Sequence, residues 1–157
     1  MTQLNISMAN GEHLPKYTPS DYNPDEKLYR GYQLEHVHEV SKTIKLGTVS
    51  FPDFSCNWSR FSQPADVKKR EGGLMTDGCF SFTVETARFE EMATPCHDML
   101  DNNYSHTEVR QLTKDEPITY EPPKKRKLKS FNWSRDNKGR YRQHIINNIT
   151  IEFEPTV

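Results

Sequence analysis

SFNWSRDNKGRYRQHIINNITIEFE, residues 130–154, carries the strongest local pattern in the chain. Phe131 and Trp133 alternate with Ser130, Asn132 and Ser134, and Ile149, Ile151 and Phe153 alternate with Thr150, Glu152 and Glu154. Period-two alternation marks a half-buried strand, and Asp136-Asn137-Lys138-Gly139 between the two runs has turn chemistry, so the stretch predicts a β-hairpin. A C-terminal hairpin needs further strands to pack on, and the rest of the chain supplies candidates.

Working outward, Thr107 to Leu112 reads as a strand, and Cys79 to Val84 places Phe80 and Phe82 between small residues before Glu85-Thr86-Ala87-Arg88 turns into helix. Ser62-Gln63-Pro64-Ala65-Asp66-Val67 has the capping Ser, early Pro and early acid of a short helix ending before Gly72-Gly73. Leu28 to Tyr32 suits a strand, Leu34, Val37, Val40 and Ile44 recur at helical spacing, and Lys45 to Phe51 suits a second strand closed by Pro52-Asp53. Residues 1–25, with Pro15, Pro19 and Pro24 among polar neighbours, read as a flexible arm. The expectation is a single α+β domain over residues 26–157. It has a central, mainly antiparallel sheet, two or three short helices and a C-terminal β-hairpin.

The chain of 157 residues has a net charge of −1 and a mean hydropathy of −0.90, with a third of its residues apolar. No apolar run approaches the roughly 20 residues of a membrane helix, and Met1 to Gly11 lacks a signal peptide's basic start and apolar middle. Cys56, Cys79 and Cys96 share no CxxC spacing, which fits reduced thiols and a cytoplasmic location. Charge is polarised. Lys124 to Arg142 holds nine cations against Asp136 alone, or +8, leaving −9 elsewhere.

Three constellations could carry chemistry. Phe54 to Ser62, read as a loop, interleaves Ser55, Asn57 and Arg60 with Trp58 and Phe61, a set able to hold a phosphate while an aromatic stacks on a base. On a strand beginning near Ser105, His106, Glu108 and Arg110 share one face, so an imidazole, a carboxylate and a guanidinium could converge on one ligand. Lys124, Lys125, Arg126, Lys127 and Lys129, with Trp133, Arg140 and Arg142, would suit a nucleic-acid backbone or an acidic protein surface. His36, His38, Cys96 and His97 lack zinc spacing, and no metal is expected.

Leu28-Tyr29-Arg30-Gly31, Phe51 to Asn57 and His97 to His106 together resemble a group of small bacterial proteins of uncharacterised function. In that group an L-S-V-x-R type segment precedes a D-P-x-x-D-N-x-x-H type segment. The resemblance spans Leu28 to Leu112, with Cys56 in place of the group's Val and Met99 in place of its Pro. It implies a bacterial origin and implies that Arg30, Ser55, Asn102 and His106 belong together. The order Arg30, Ser55 or Ser59, Glu108 also resembles ADP-ribosyltransferases, which implies an Arg and a Ser holding NAD while the Glu orients the ribose. Three functions follow as expectations. The first is binding of a nucleotide or phosphate-bearing ligand, with NAD among the candidates and His106 and Glu108 as catalytic groups. The second is nucleic-acid binding through the basic hairpin, and the third is a non-catalytic place in a larger protein complex.

Overall fold

The computed structural model describes residues 17–51, 54–70, 72–100, 102–111, 119–121, 125–127 and 133–157. Six strands form one antiparallel sheet: β1 (Lys27–Tyr32), β2 (Phe54–Trp58), β3 (Gly78–Thr83), β4 (Thr94–His97), β5 (His106–Arg110) and β8 (Thr150–Phe153), in the order β4-β5-β2-β1-β3-β8. β6 (Thr119–Glu121) and β7 (Lys125–Lys127) pair with each other. Two α-helices, α1 (Val84–Ala87) and α2 (Arg135–Asn147), and several 3₁₀ turns complete the described fold, which is α+β as expected.

The sheet's two faces differ in chemistry. Leu28, Phe80, Phe82, Phe54, Cys56, Trp58 and Val109 belong to one buried cluster with Tyr22, Ala87, Tyr141 and Ile145. The ladder pairs Leu28 with Trp58 and with Phe82, and Phe54 with Val109, so these side chains share one face. Strand alternation then sends Tyr29, Ser55, Asn57, His106 and Glu108 to the opposite face.

Residues 135–147, read from the sequence as a turn and part of a hairpin, are helix α2. The Ser134 hydroxyl accepts from the Asn137 N–H at 3.2 Å and so caps the helix start. Tyr141 and Ile145, four residues apart, are both buried, and the Tyr141 hydroxyl donates to the Ala87 carbonyl. Burial raises the Tyr141 pKa well above 10, so it stays a donor. This tertiary anchoring overrides the local turn preference of Asp-Asn-Lys-Gly. The returning strand is present as β8; Phe131 and Asn132 lie outside the described residues.

Gly139 separates the two architectures experimentally. A hairpin turn needs its glycine at positive φ, whereas at a helix interior Gly costs roughly 1 kcal/mol relative to Ala. Gly139 has no positive φ, and a Cβ built there meets nothing within 4 Å. Gly139→Ala is therefore expected to stabilise, raising Tm by about 2–4 °C in a calorimetric scan. A fall in Tm would contradict the helix.

Four other segments depart from the sequence reading. Phe54 to Trp58 is an interior strand rather than a loop, because β5 and β1 flank it on both sides. The expected helix after Tyr32 is a 3₁₀ turn (Leu34–His36) followed by a Val37–Ile44 bridge, and the strand expected over 45–51 instead contains the 3₁₀ turn Leu46–Thr48. The arm's residues 1–16 lie outside the described residues, but residues 17–25 pack: Tyr22 is buried, stacks on Trp58 at 3.8 Å and shares a 2.7 Å hydrogen bond with Thr107 Oγ1. No helix among the described residues is long and apolar enough to cross a membrane.

Candidate functional site

The polar face carries two cross-strand rows. The register places Tyr29 opposite Asn57 and Asn57 opposite His106, forming the first row across β1, β2 and β5. The second places Ser55 opposite Glu108 and Glu108 opposite Cys96, across β2, β5 and β4. Four of the residues singled out from the sequence, Ser55, Asn57, His106 and Glu108, thus form adjoining pairs on two neighbouring strands.

The second row does not extend to β1. The β1–β2 ladder holds only Leu28–Trp58 and Tyr29–Asn57, so the strands part where Gly31 would face Ser55. The Ser55 carbonyl instead accepts from Arg30 Nη1 at 2.9 Å, and that guanidinium lies 4.9 Å from the Phe54 ring centroid. Beside this opening is a cavity of about 320 Å³ lined by Arg30, Ser55, Asn57, Arg70, Asn103 and His106, among others. This volume falls at the small end of ligand pockets.

Arg70, which the sequence reading did not select, enters the cleft because Gly31 lacks a side chain: a Cβ at residue 31 would lie 2.1 Å from Arg70 Nη1. Arg70 is held there by buried Asp77 at 2.8 Å and by the Val67 carbonyl at 2.6 Å. Nothing local in the sequence marks it, since it follows a 3₁₀ segment (Pro64–Lys69) forty residues after Arg30.

A chain of hydrogen bonds fixes the amide orientations. The Ser105 backbone N–H donates to Asn103 Oδ1 at 3.1 Å, which makes the other Asn103 atom a donor, and it reaches Asn57 Oδ1 at 2.8 Å. The Asn57 side chain is therefore turned with Nδ2 away from Asn103. Asn57 is 4% exposed and, among the described residues, its Nδ2 has no hydrogen-bond partner. Arg30 Nε is likewise buried and unpartnered. Burial is the largest influence on the Arg30 guanidinium and lowers its pKa; nearby Arg70 lowers it further, against the opposing pull of Cys56 and Glu108. Two donors without acceptors are an uncommon cost in a folded interior, worth about 1–3 kcal/mol each.

Next to the cleft, His106 lies between two carboxylates. Its Nδ1 is 2.7 Å from the Asp98 carbonyl and 3.5 Å from Asp98 Oδ2, while Nε2 is 3.5 Å from Glu108 Oε1. The Ser55 hydroxyl donates to the same Glu108 oxygen at 2.9 Å. Asp98, His106 and Glu108 offer ligand atoms within 4.8 Å of one another, among the described residues. The carboxylates, however, approach opposite nitrogens of one ring, which is the geometry of a proton relay rather than of three ligands around one ion.

Burial alone would lower the His106 pKa, but hydrogen bonding to Asp98 and the charge of Glu108 outweigh it, and the net shift is upward from 6.5. A raised folded-state pKa means that protonation stabilises the fold in full below pH 6.5, and that this contribution is lost as pH rises through the raised value. Melting temperatures measured across that window are expected to fall for the wild type. In His106→Gln this component should vanish, and an unchanged profile would contradict the ion pairing.

Other expected site residues have different work. Arg60 Nε and Nη2 donate to the two Glu26 carboxylate oxygens, each at 3.0 Å, and Nη2 also reaches the Asp21 carbonyl at 2.8 Å. The turn after β2 carries Arg60 away from the cleft, so it is not a ligand arm. Asn102 is exposed and does not line the cavity; its neighbour Asn103 does, a one-residue difference in phase. Trp133 is buried against Phe51 and Tyr141, Arg142 Nε donates to the Val49 carbonyl at 2.9 Å, and Arg140 stays exposed in a surface ion pair with Glu90. Lys125, Arg126 and Lys127 form β7, while Lys124 and Lys129 lie outside the described residues. Cys56, Cys79 and Cys96 form no disulfide and are buried, and burial pushes the Cys79 thiol up to about 12 and Cys56 higher still, so both stay protonated near neutral pH.

Compared with protein-family models, curated proteins and solved structures, the chain matches none.

Proposed function

We propose that the chain binds a small phosphate-bearing ligand in the cleft between β1 and β2, with Glu108 and His106 as the acid–base groups beside it. The observation that carries this reading is the Asn57 Nδ2 donor, buried and unpartnered on the cleft wall. Arg30, which alternation places on the face of Leu28 and Phe80 but which lines the cleft where β1 and β2 part, and Arg70, which enters over Gly31 paired with Asp77, add guanidinium groups to the lining. Guanidiniums and amide donors together suit phosphate oxygens, which accept several hydrogen bonds and carry the compensating charge.

A second reading takes NAD as the ligand, with Glu108 orienting the ribose. It is favoured by one observation: Arg30, Ser55 and Glu108 are linked by two consecutive contacts, from Arg30 Nη1 to the Ser55 carbonyl and from Ser55 Oγ to Glu108 Oε1. Inorganic phosphate, mononucleotides, NAD and short RNA and DNA are the discriminating probes in a thermal-shift series. A ligand that binds only the folded state at about a hundred times its Kd adds about 2.7 kcal/mol. A rise in Tm with phosphate or mononucleotides, lost in Arg30→Gln and kept in Arg60→Gln, is the expected result. Stabilisation by nucleic acid alone, falling with salt, would instead favour the basic segment.

A further inference from the structure

We propose that Ser55 is a nucleophile and that the cleft transfers a phosphoryl group from a phosphate ester to its hydroxyl oxygen. This rests on the reading that the cleft holds a phosphate-bearing ligand. A serine hydroxyl is a weak nucleophile until a base takes its proton. Ser55 already donates that proton to Glu108 Oε1 at 2.9 Å, within the reach a general base needs. It is half-buried on the cavity wall, where a ligand can meet it.

The surroundings match the charge that such a reaction moves. Asn57 Nδ2 is on the same face two residues along β2, a rise of about 7 Å, and has no acceptor among the described residues. Arg30 grips the Ser55 carbonyl, fixing the backbone from which the hydroxyl projects. His106 lies between Asp98 and Glu108, and in this step it acts as a positioning residue that holds the carboxylate toward Ser55. The neighbouring Cys56 cannot substitute: alternation sends its thiol to the apolar face, where it meets the Phe54 carbonyl at 3.8 Å.

In the transfer step, the Ser55 Oγ lone pair forms the new O–P bond as the bond from phosphorus to the ester's alcohol oxygen breaks. The Ser55 proton passes to Glu108 and from there to the departing alkoxide. Water then attacks the phosphoserine with Glu108 as base, releasing inorganic phosphate and restoring the hydroxyl.

A fluorophosphonate ester tests the nucleophile directly, because it forms the same O–P bond with loss of fluoride and needs no recognition of an anionic phosphate. The full chain is incubated with the probe and its peptides are weighed by mass spectrometry. One adduct is expected, on Ser55, absent in Ser55→Ala and formed about 100-fold more slowly in Glu108→Gln. His106→Gln should shift the pH profile of labelling rather than abolish it. No Ser55 adduct on the wild type, or an equal rate in a folded Glu108→Gln, overturns the proposal. If circular dichroism shows that Glu108→Gln does not fold, the wild-type adduct and its pH profile still decide. Phosphate binding to Ser55→Ala, read by calorimetry, separates the two claims: labelling without phosphate binding leaves the nucleophile and removes the binding reading, and phosphate binding without labelling does the reverse.

Discussion

Asn57→Asp is expected to weaken binding of inorganic phosphate and of mononucleotides by about 100-fold or more in isothermal titration. The substitution keeps an oxygen to accept from Asn103 Nδ2, so the Ser105–Asn103–57 chain survives. It replaces the unpartnered donor with an anionic oxygen on the wall that must face the ligand. Losing a charge-assisted hydrogen bond costs about 1.5–3 kcal/mol, and like-charge repulsion adds to it, with each 1.4 kcal/mol worth a factor of ten. The same change removes a buried unsatisfied donor at the cost of burying a carboxylate, so the ligand-free variant should melt no more than a few degrees away from the wild type. Equal affinity in the two proteins would place the ligand elsewhere.

Trp58→Ala is expected to cost about 3–5 kcal/mol, a large part of the 5–15 kcal/mol that holds a typical domain. Trp58 is 0% exposed and stacks on Tyr22 at 3.8 Å, with Phe61 edge-on at 5.4 Å and the Arg60 guanidinium 4.3 Å from its ring. Its loss opens a cavity at the end of β2, next to Asn57, and frees the packed stretch around Tyr22. Urea denaturation should show the midpoint falling sharply, and ligand affinity should fall with it as the β2 register loosens. A cost below about 1 kcal/mol would mean that this aromatic cluster is not the core.

The sequence revealed the sheet where alternation was strong and locally bounded. Cys79 to Thr83 is a strand on which Phe80 and Phe82 alternate with small residues, and the strands read at Leu28 to Tyr32 and from Thr107 onward fall on β1 and β5. It misjudged Phe54 to Trp58, where serine, cysteine and asparagine resemble loop composition; their strand state comes from two neighbours that bond to both edges. It misjudged residues 135–147 for the converse reason. Turn-forming residues there sit on a helix capped by Ser134 and anchored by Tyr141 and Ile145, a contact with Ala87 more than fifty residues away.

The same distinction runs through the site. Placing His106 and Glu108 on one face needed only period two, and Ser55 and Asn57 joined them because β2 pairs with β5 in register. Arg70 and Asp98 were beyond local reasoning. One enters through the space left by Gly31, and the other touches His106 through a loop that folds back on β5. Arg60 and Arg140 show the limit of reading cations by type, since both are held by glutamates distant in sequence.

The most direct measurement follows the side-chain amide of Asn57 by ¹⁵N NMR, its resonance pair assigned by its disappearance in Asn57→Asp, while inorganic phosphate is titrated into the wild-type protein. The account predicts that this pair shifts saturably and in step with the backbone amides of Ser55 and Gly31. An Asn57 amide that stays in place while phosphate shifts other resonances, or shifts none, would contradict it.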